Sequence, residues 1–283
     1  YGAVRELAEI FVISFNPTAP DSFYSISTII VAAYAVKKGL EVIARVNQIL
    51  LPFGIIVLFF IAAINISKID LSNFLPILYN GIFPSIRGAL LINAWITESV
   101  ILLQILPYVR DKEKIRLYTN ISVLVLGGSL LAGVLTISVL GVTVTERMLF
   151  PALQYIKIAS IGPQITNLDL SIMVVWISGI FIKISTTYYA GVLSISQIFG
   201  LKTYKNMIIP FGLLIIAFSI YTYKNVSDLI HDLHYIFPFL MLLVAFVIPS
   251  ILLAVSFIRK PPLGDEKQQA DNVSNQNSAR KDA

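Results

Sequence analysis

Two residues sit where charge is costly. Glu98 lies within the apolar run GALLINAWITESVILLQIL, and Lys183 within SIMVVWISGIFIKISTTYYAGVL. A full charge at the centre of a bilayer costs roughly 2.5–3.5 kcal/mol on insertion scales, so such residues face a bundle interior or a wet cavity. A carboxylate there can take a proton or a cation. An ammonium can pair with that carboxylate or take an anionic group. Around Glu98 lie Asn93, Thr97, Ser99 and Gln104. Asn93, Thr97 and Gln104 share one helix face, and Glu98 lies about 100° further round. Asn93, Thr97, Glu98 and Lys183 are therefore the candidate ligand-binding residues, with Glu98 leading. Interhelical hydrogen bonding, worth about 0.6 kcal/mol per contact, is the bland reading of the amide and hydroxyl groups. Pro84, Ser85 and Gly88 follow Asn80-Gly81 at the start of the same run. They fit either a broken membrane helix or a plain helix start.

Other polar groups carry less. Arg5, Glu6 and Glu9 read as solvated flank residues of the first helix, with Arg5 and Glu9 spaced to pair. Glu41 and Arg45 read as an ordinary i,i+4 ion pair. His231 and His234 are the only histidines, and a pair alone is too few ligands for a metal. No nucleotide-binding glycine loop, HExxH or GxSxG elbow is present, and no histidine lies within an apolar span. The chain is therefore not read as an enzyme, and no cofactor or metal is expected.

The elements that must position these residues are helices. Of the 283 residues, 57% are apolar and 13% charged, with no cysteine. Soluble domains average about 25% charged, and several runs here approach the ~20 residues a span needs. The fold class is an all-α polytopic membrane protein. Eight hydrophobic helices are expected near 1–15, 21–38, 46–66, 84–107, 117–140, 169–199, 206–223 and 234–258, forming one bundle over 1–258. The stretch 147–163, with Pro151, Lys157 and Pro163, reads as a loop with a short interfacial helix. Residues 259–283 read as a disordered cytoplasmic tail. The chain starts at Tyr1, in what reads as a helix already under way and not a signal peptide, so a fragment lacking upstream sequence is expected. The alternative is that 1–15 forms a complete interfacial helix.

The net charge of +5 is read by location, not as a nucleic-acid footprint. Lys37, Lys38 and Arg45 follow the second helix, and Arg110, Lys112, Lys114 and Arg116 the fourth. Lys202 and Lys205 follow the sixth, and Arg259 and Lys260 the eighth. The positive-inside rule places these connections in the cytoplasm. With eight spans, residue 1 would start on that side too.

The order of landmarks resembles the spore germination permease family, the integral-membrane B subunits of GerA-type germinant receptors. The landmarks are PTAP (17–20), Ala33-Tyr34, KKGLEVIARV (37–46), FLPILYNG (74–81), Glu98 with Pro107 beyond it, Phe150-Pro151, and Asp169 seven residues before Trp176. Asn167 stands where family members often have arginine. The resemblance covers about residues 1–260. It implies a branch of the amino acid–polyamine–organocation superfamily. The fold would be a LeuT-type bundle of two inverted five-helix repeats, with about eight of the ten helices present and Glu98 on the broken sixth. It also implies a multi-pass protein of the spore inner membrane, a small amino-acid-like germinant, and receptor A and C subunits as partners. A proton-coupled amino acid permease is the competing reading.

Overall fold

The computed structural model describes residues 1–109, 113–148, 150–158 and 168–258, and every regular element among them is helical. Arg110 and Lys112 of the basic loop, Pro163, Asn167 and the 259–283 tail lie outside the described residues. The α-helices are α1 (Gly2–Ser14), α2 (Asp21–Lys38), α3 (Leu40–Asn65), α4 (Phe83–Thr97), α5 (Leu102–Ile105), α6 (Ile115–Leu140), α7 (Val142–Arg147), α8 (Pro151–Ile158), α9 (Leu168–Ile198), α10 (Ile208–Tyr221), α11 (Val226–His231) and α12 (Phe237–Ile258).

Among the described residues, six segments are long and apolar enough to cross a bilayer: Leu40–Lys68, Phe83–Tyr108, Ile115–Leu140, Met173–Ile198, Tyr204–Tyr221 and Val226–Ile258. The chain is an all-α, multi-pass membrane protein. Several of its apolar side chains lie bare, including Leu124, Phe239 and Phe257, as lipid-facing surfaces do.

The main core joins α1, α2, α9 and α10. Leu7, Ile10, Ile29, Val36, Ile184, Tyr188 and Val192 pack together there. The Tyr188 hydroxyl donates to the Ile208 carbonyl, and Gly212 leaves room for that phenol against α10, where any Cβ would meet the Tyr188 oxygen. A second, smaller core seats α8 on α3 and α6, with Tyr155 and Ile156 against Ile61, Leu135 and Val139. The Asn65 amide closes this contact by donating to the Tyr155 carbonyl at 3.2 Å.

Loop contacts separate the two ends of the bundle. At one end, Gly39 takes φ of 100° between α2 and α3, a conformation open to glycine and strained for other residues. The Tyr204 hydroxyl donates to the Val36 carbonyl there at 3.4 Å, so the KKGLEVIAR and LKTYK corners meet. At the other end, the Asp70 amide and the Asn73 side chain both donate to the Ser138 carbonyl, at 3.0 and 2.9 Å. Lys68 donates to the Ile158 carbonyl alongside.

Four sequence readings need revision. The third helix begins at Leu40 rather than near 46, and the last helical segment begins at Val226 rather than near 234, with a π-helical turn at Asp232–Ile236. Gly39 and the Asn225 side chain, which accepts from the Asp228 amide at 2.9 Å, set those earlier starts. The expected start of residue 1 at the basic end is not met. Tyr1 packs on Phe218 and Tyr223, and Phe11 stacks on Tyr24 at 4.9 Å. Both ends of α1 thus face away from the basic corners. Arg5 and Glu9 are not solvated flanks either, being 5% and 6% exposed. Arg5 pairs with Glu9 at 2.8 Å and also with Asp21 on α2. An arginine fork holding two carboxylates can be buried where a lone charge cannot.

This buried knot differs from the Glu41–Arg45 pair, whose side chains are 76% and 74% exposed. Arg5→Ala should lower stability by about 3–5 kcal/mol, because it strands two carboxylates. Arg45→Ala should cost less than about 0.5 kcal/mol. Unfolding of both variants in detergent micelles, followed by helicity, checks the contrast.

Candidate functional site

α4 begins at Phe83 with Pro84 in its first turn, where a missing N–H costs nothing. The helix does not break there. It tightens further along: Glu98–Ile101 is a 3₁₀ segment, followed by the short α5 and a second 3₁₀ turn at Leu106–Tyr108. A 3₁₀ stretch inside a long helix often marks a hinge, and Glu98 is its first residue.

Glu98 Oε2 lies 3.0 Å from Lys183 Nζ on α9, with the two side chains 25% and 30% exposed. The Lys183 ammonium also lies 4.5 Å from the centroid of the Trp95 ring. Trp95 is one turn before Glu98, so one face of α4 offers both a carboxylate and an aromatic surface to the same cation. Ala94, on this face, is fully buried. Phe237 of α12 packs on the Trp95 ring at 4.9 Å between centroids.

A second link lies beyond the ion pair. Gln104 Nε2 donates to Gln197 Oε1 at 2.8 Å. Since 98 precedes 104 and 183 precedes 197, the two segments run in the same direction. Parallel neighbours must be separated in sequence by a crossing back, which α6 supplies.

Glu6 is the residue that spacing missed. It is half-buried on α1 and within electrostatic reach of both Lys183 and Glu98. Its signal was present in RELAE, where it sits one residue off the Arg5–Glu9 face. Trp95 also stands at i−3 from Glu98 in the sequence, a spacing that places it on the same helix face.

The other candidates sit elsewhere. The Thr97 hydroxyl donates back to the Asn93 carbonyl at 2.9 Å. Asn93 is exposed and lines a shallow groove of about 500 Å³ with Ile86, Leu90 and Ile96, on a different face of α4 from Trp95 and Glu98. A half-open apolar pocket of about 300 Å³ lies between α1, α2, α3 and α9, lined by residues including Leu7, Tyr24, Leu50 and Phe181 but by neither Glu98 nor Lys183. His231 packs on Tyr235 and His234 Nδ1 contacts the Ile230 carbonyl. No cluster of three or more potential metal ligands occurs among the described residues.

The pair has a measurable signature. Glu98→Gln and Lys183→Met should each destabilise the protein, and the double variant should recover part of the loss. The coupling expected for charges in contact is about 0.5–3 kcal/mol. A thermodynamic cycle of detergent unfolding reads it, and strict additivity would show that the two residues act independently.

Comparisons with known proteins identify relatives of the chain. A family described as spore germination protein matches residues 2–228. Spore germination protein KB of Bacillus subtilis (strain 168) is 29% identical over 238 residues, covering 81% of this chain and 63% of the relative. Spore germination protein YndE of the same strain is 25% identical over 268 residues, covering 91% and 70%. Spore germination protein XB of Bacillus anthracis is 26% identical over 214 residues, covering 76% and 59%. The chain thus spans about two thirds of the length of these relatives. No solved structure matches. With a match across most of its helices, the chain belongs to the spore germination protein family.

Proposed function

We propose that this chain is the membrane-embedded subunit of a spore germinant receptor, and that it senses a small solute such as an amino acid. The observation that carries the reading is the Glu98–Lys183 pair within two apolar spans, in a chain whose family is that of spore germination proteins. A charged contact between spans can report on a solute, because a ligand that competes for either partner changes how the helices hold each other. Such a ligand shifts the bundle only as far as its affinities for the two arrangements differ.

In this reading the protein works in the spore inner membrane beside an A subunit and a lipoprotein C subunit. The bundle is part of a ten-helix inverted repeat, and the parallel run of 98–104 and 183–197 supports that register. Proton-coupled transport is the second reading, and the names of the relatives favour the first.

Two experiments separate them. Spores lacking the gene should lose their response to one germinant and regain it when the full coding sequence is restored. Reconstituted protein should bind that germinant without accumulating it against a gradient, and accumulation without partner subunits would make it a permease. Within the restored strain, Glu98→Gln should raise the half-maximal germinant concentration by about tenfold or more, as loss of a charged hydrogen bond does. Asn93→Ala should change it far less. Equal and negligible effects at normal protein abundance would remove Glu98 from the site.

A further inference from the structure

Lys183 is held as a free ammonium ligand would be held. Its Nζ has the Glu98 carboxylate at 3.0 Å and the Trp95 ring centroid at 4.5 Å. A carboxylate and an aromatic face converging on one point are the two groups that receive a primary ammonium best. Phe237 packs on the same ring at 4.9 Å, which helps hold it in place. Glu6, half-buried on α1, adds a second carboxyl group that feels the charges of both Lys183 and Glu98. Counting side chains alone, the corner holds two carboxyl groups against one ammonium.

We propose that Lys183 occupies this corner as a tethered stand-in, and that the primary ammonium of a small solute takes its place between Trp95 and Glu98 while Lys183 moves to Glu6. The proposal rests on the sensor reading and specifies its ligand. For a simple amine the charges then close, with two ammonium groups on two carboxylates and none stranded in the apolar interior, where a lone charge is costly. An anionic solute gains nothing, since it would have to pull Lys183 from Glu98 and leave that carboxylate bare. Recognition therefore falls on the ammonium, in a simple amine or in an amino acid. The exchange also gives the signal, because it breaks the α4–α9 ion pair at the first residue of the 3₁₀ segment.

Trp95 and Trp176 are the only tryptophans, so Trp176→Phe leaves Trp95 as a single fluorescent reporter inside the site. The full chain carrying that change, in lipid nanodiscs, is titrated with ethylamine, alanine and propionate. Ethylamine and alanine should shift the Trp95 emission saturably and compete with each other, whereas propionate should do neither. Alanine binding without ethylamine binding would mean that the carboxylate is also read and would overturn the proposal as stated. Glu98→Gln and Glu6→Gln should each weaken ethylamine by about tenfold or more. Lys183→Met should tighten it, because nothing then needs displacing. A purely structural lysine would produce the opposite. Propionate binding as tightly as ethylamine, weaker ethylamine binding in Lys183→Met, or no binding of either amine would overturn the proposal. The wild-type contrast between ethylamine and propionate decides it even where a variant does not fold. Lost discrimination with germination intact removes this inference alone. Amine binding coupled to accumulation of the solute removes the sensor reading and leaves the ammonium receiver standing.

Discussion

An ionised carboxylate in a lipid-length helix needs a counter-charge, and the counter-charge must come from another helix. Glu98 and Lys183 meet that requirement for each other across α4 and α9. Neither can be moved far without stranding its partner in a medium that solvates charge poorly. The contact is thus a constraint on the fold as well as a candidate site. It fixes which faces of two spans meet, and the Gln104–Gln197 hydrogen bond extends the same seam.

The rest of the bundle is arranged around that seam in separate pieces. α1, α2, α9 and α10 form the densely packed part, where most of the buried apolar side chains lie. α8 is seated on α3 and α6 through its own small core. α4 joins α12 through Trp95 and Phe237, and the 3₁₀ segment and α5 that continue it reach α9 through the polar contacts of Glu98 and Gln104. Apolar packing between spans gains little from a solvent that is itself apolar, so polar links and close fit carry more of the specificity than in a soluble core. The Arg5–Glu9–Asp21 knot does the same work for α1 and α2.

Much of this was legible in the sequence, for definite reasons. Long apolar runs bounded by basic loops fixed the class of fold and the grouping of KKGLEVIAR with LKTYK, because bilayer thickness and loop charge act on sequence directly. Glu98 and Lys183 stood out because a charge in such a run is rare. That they pair with each other was legible only as one option among several, since pairing depends on which faces α4 and α9 present. Arg5 and Glu9 were misread because short helices near a chain end usually have wet polar faces. Only the fold brings Asp21 back onto Arg5. Glu6 and Trp95 were missed for a related reason, as each gains its meaning from a residue on another helix. The 3₁₀ segment had no signal at all, since TESVILLQ holds neither proline nor glycine before Pro107.

That tightened segment has a mechanical consequence. A 3₁₀ helix turns 120° and rises about 2.0 Å per residue, against 100° and 1.5 Å in an α-helix. Rewinding the four residues from Glu98 to Ile101 would therefore swivel everything after them by roughly 80° and draw it in by about 2 Å. Gln104 would be carried off Gln197 as if on a crank. A small local change of pitch beside the charged pair would thus reach the far half of the segment as a rotation, without bending the chain anywhere.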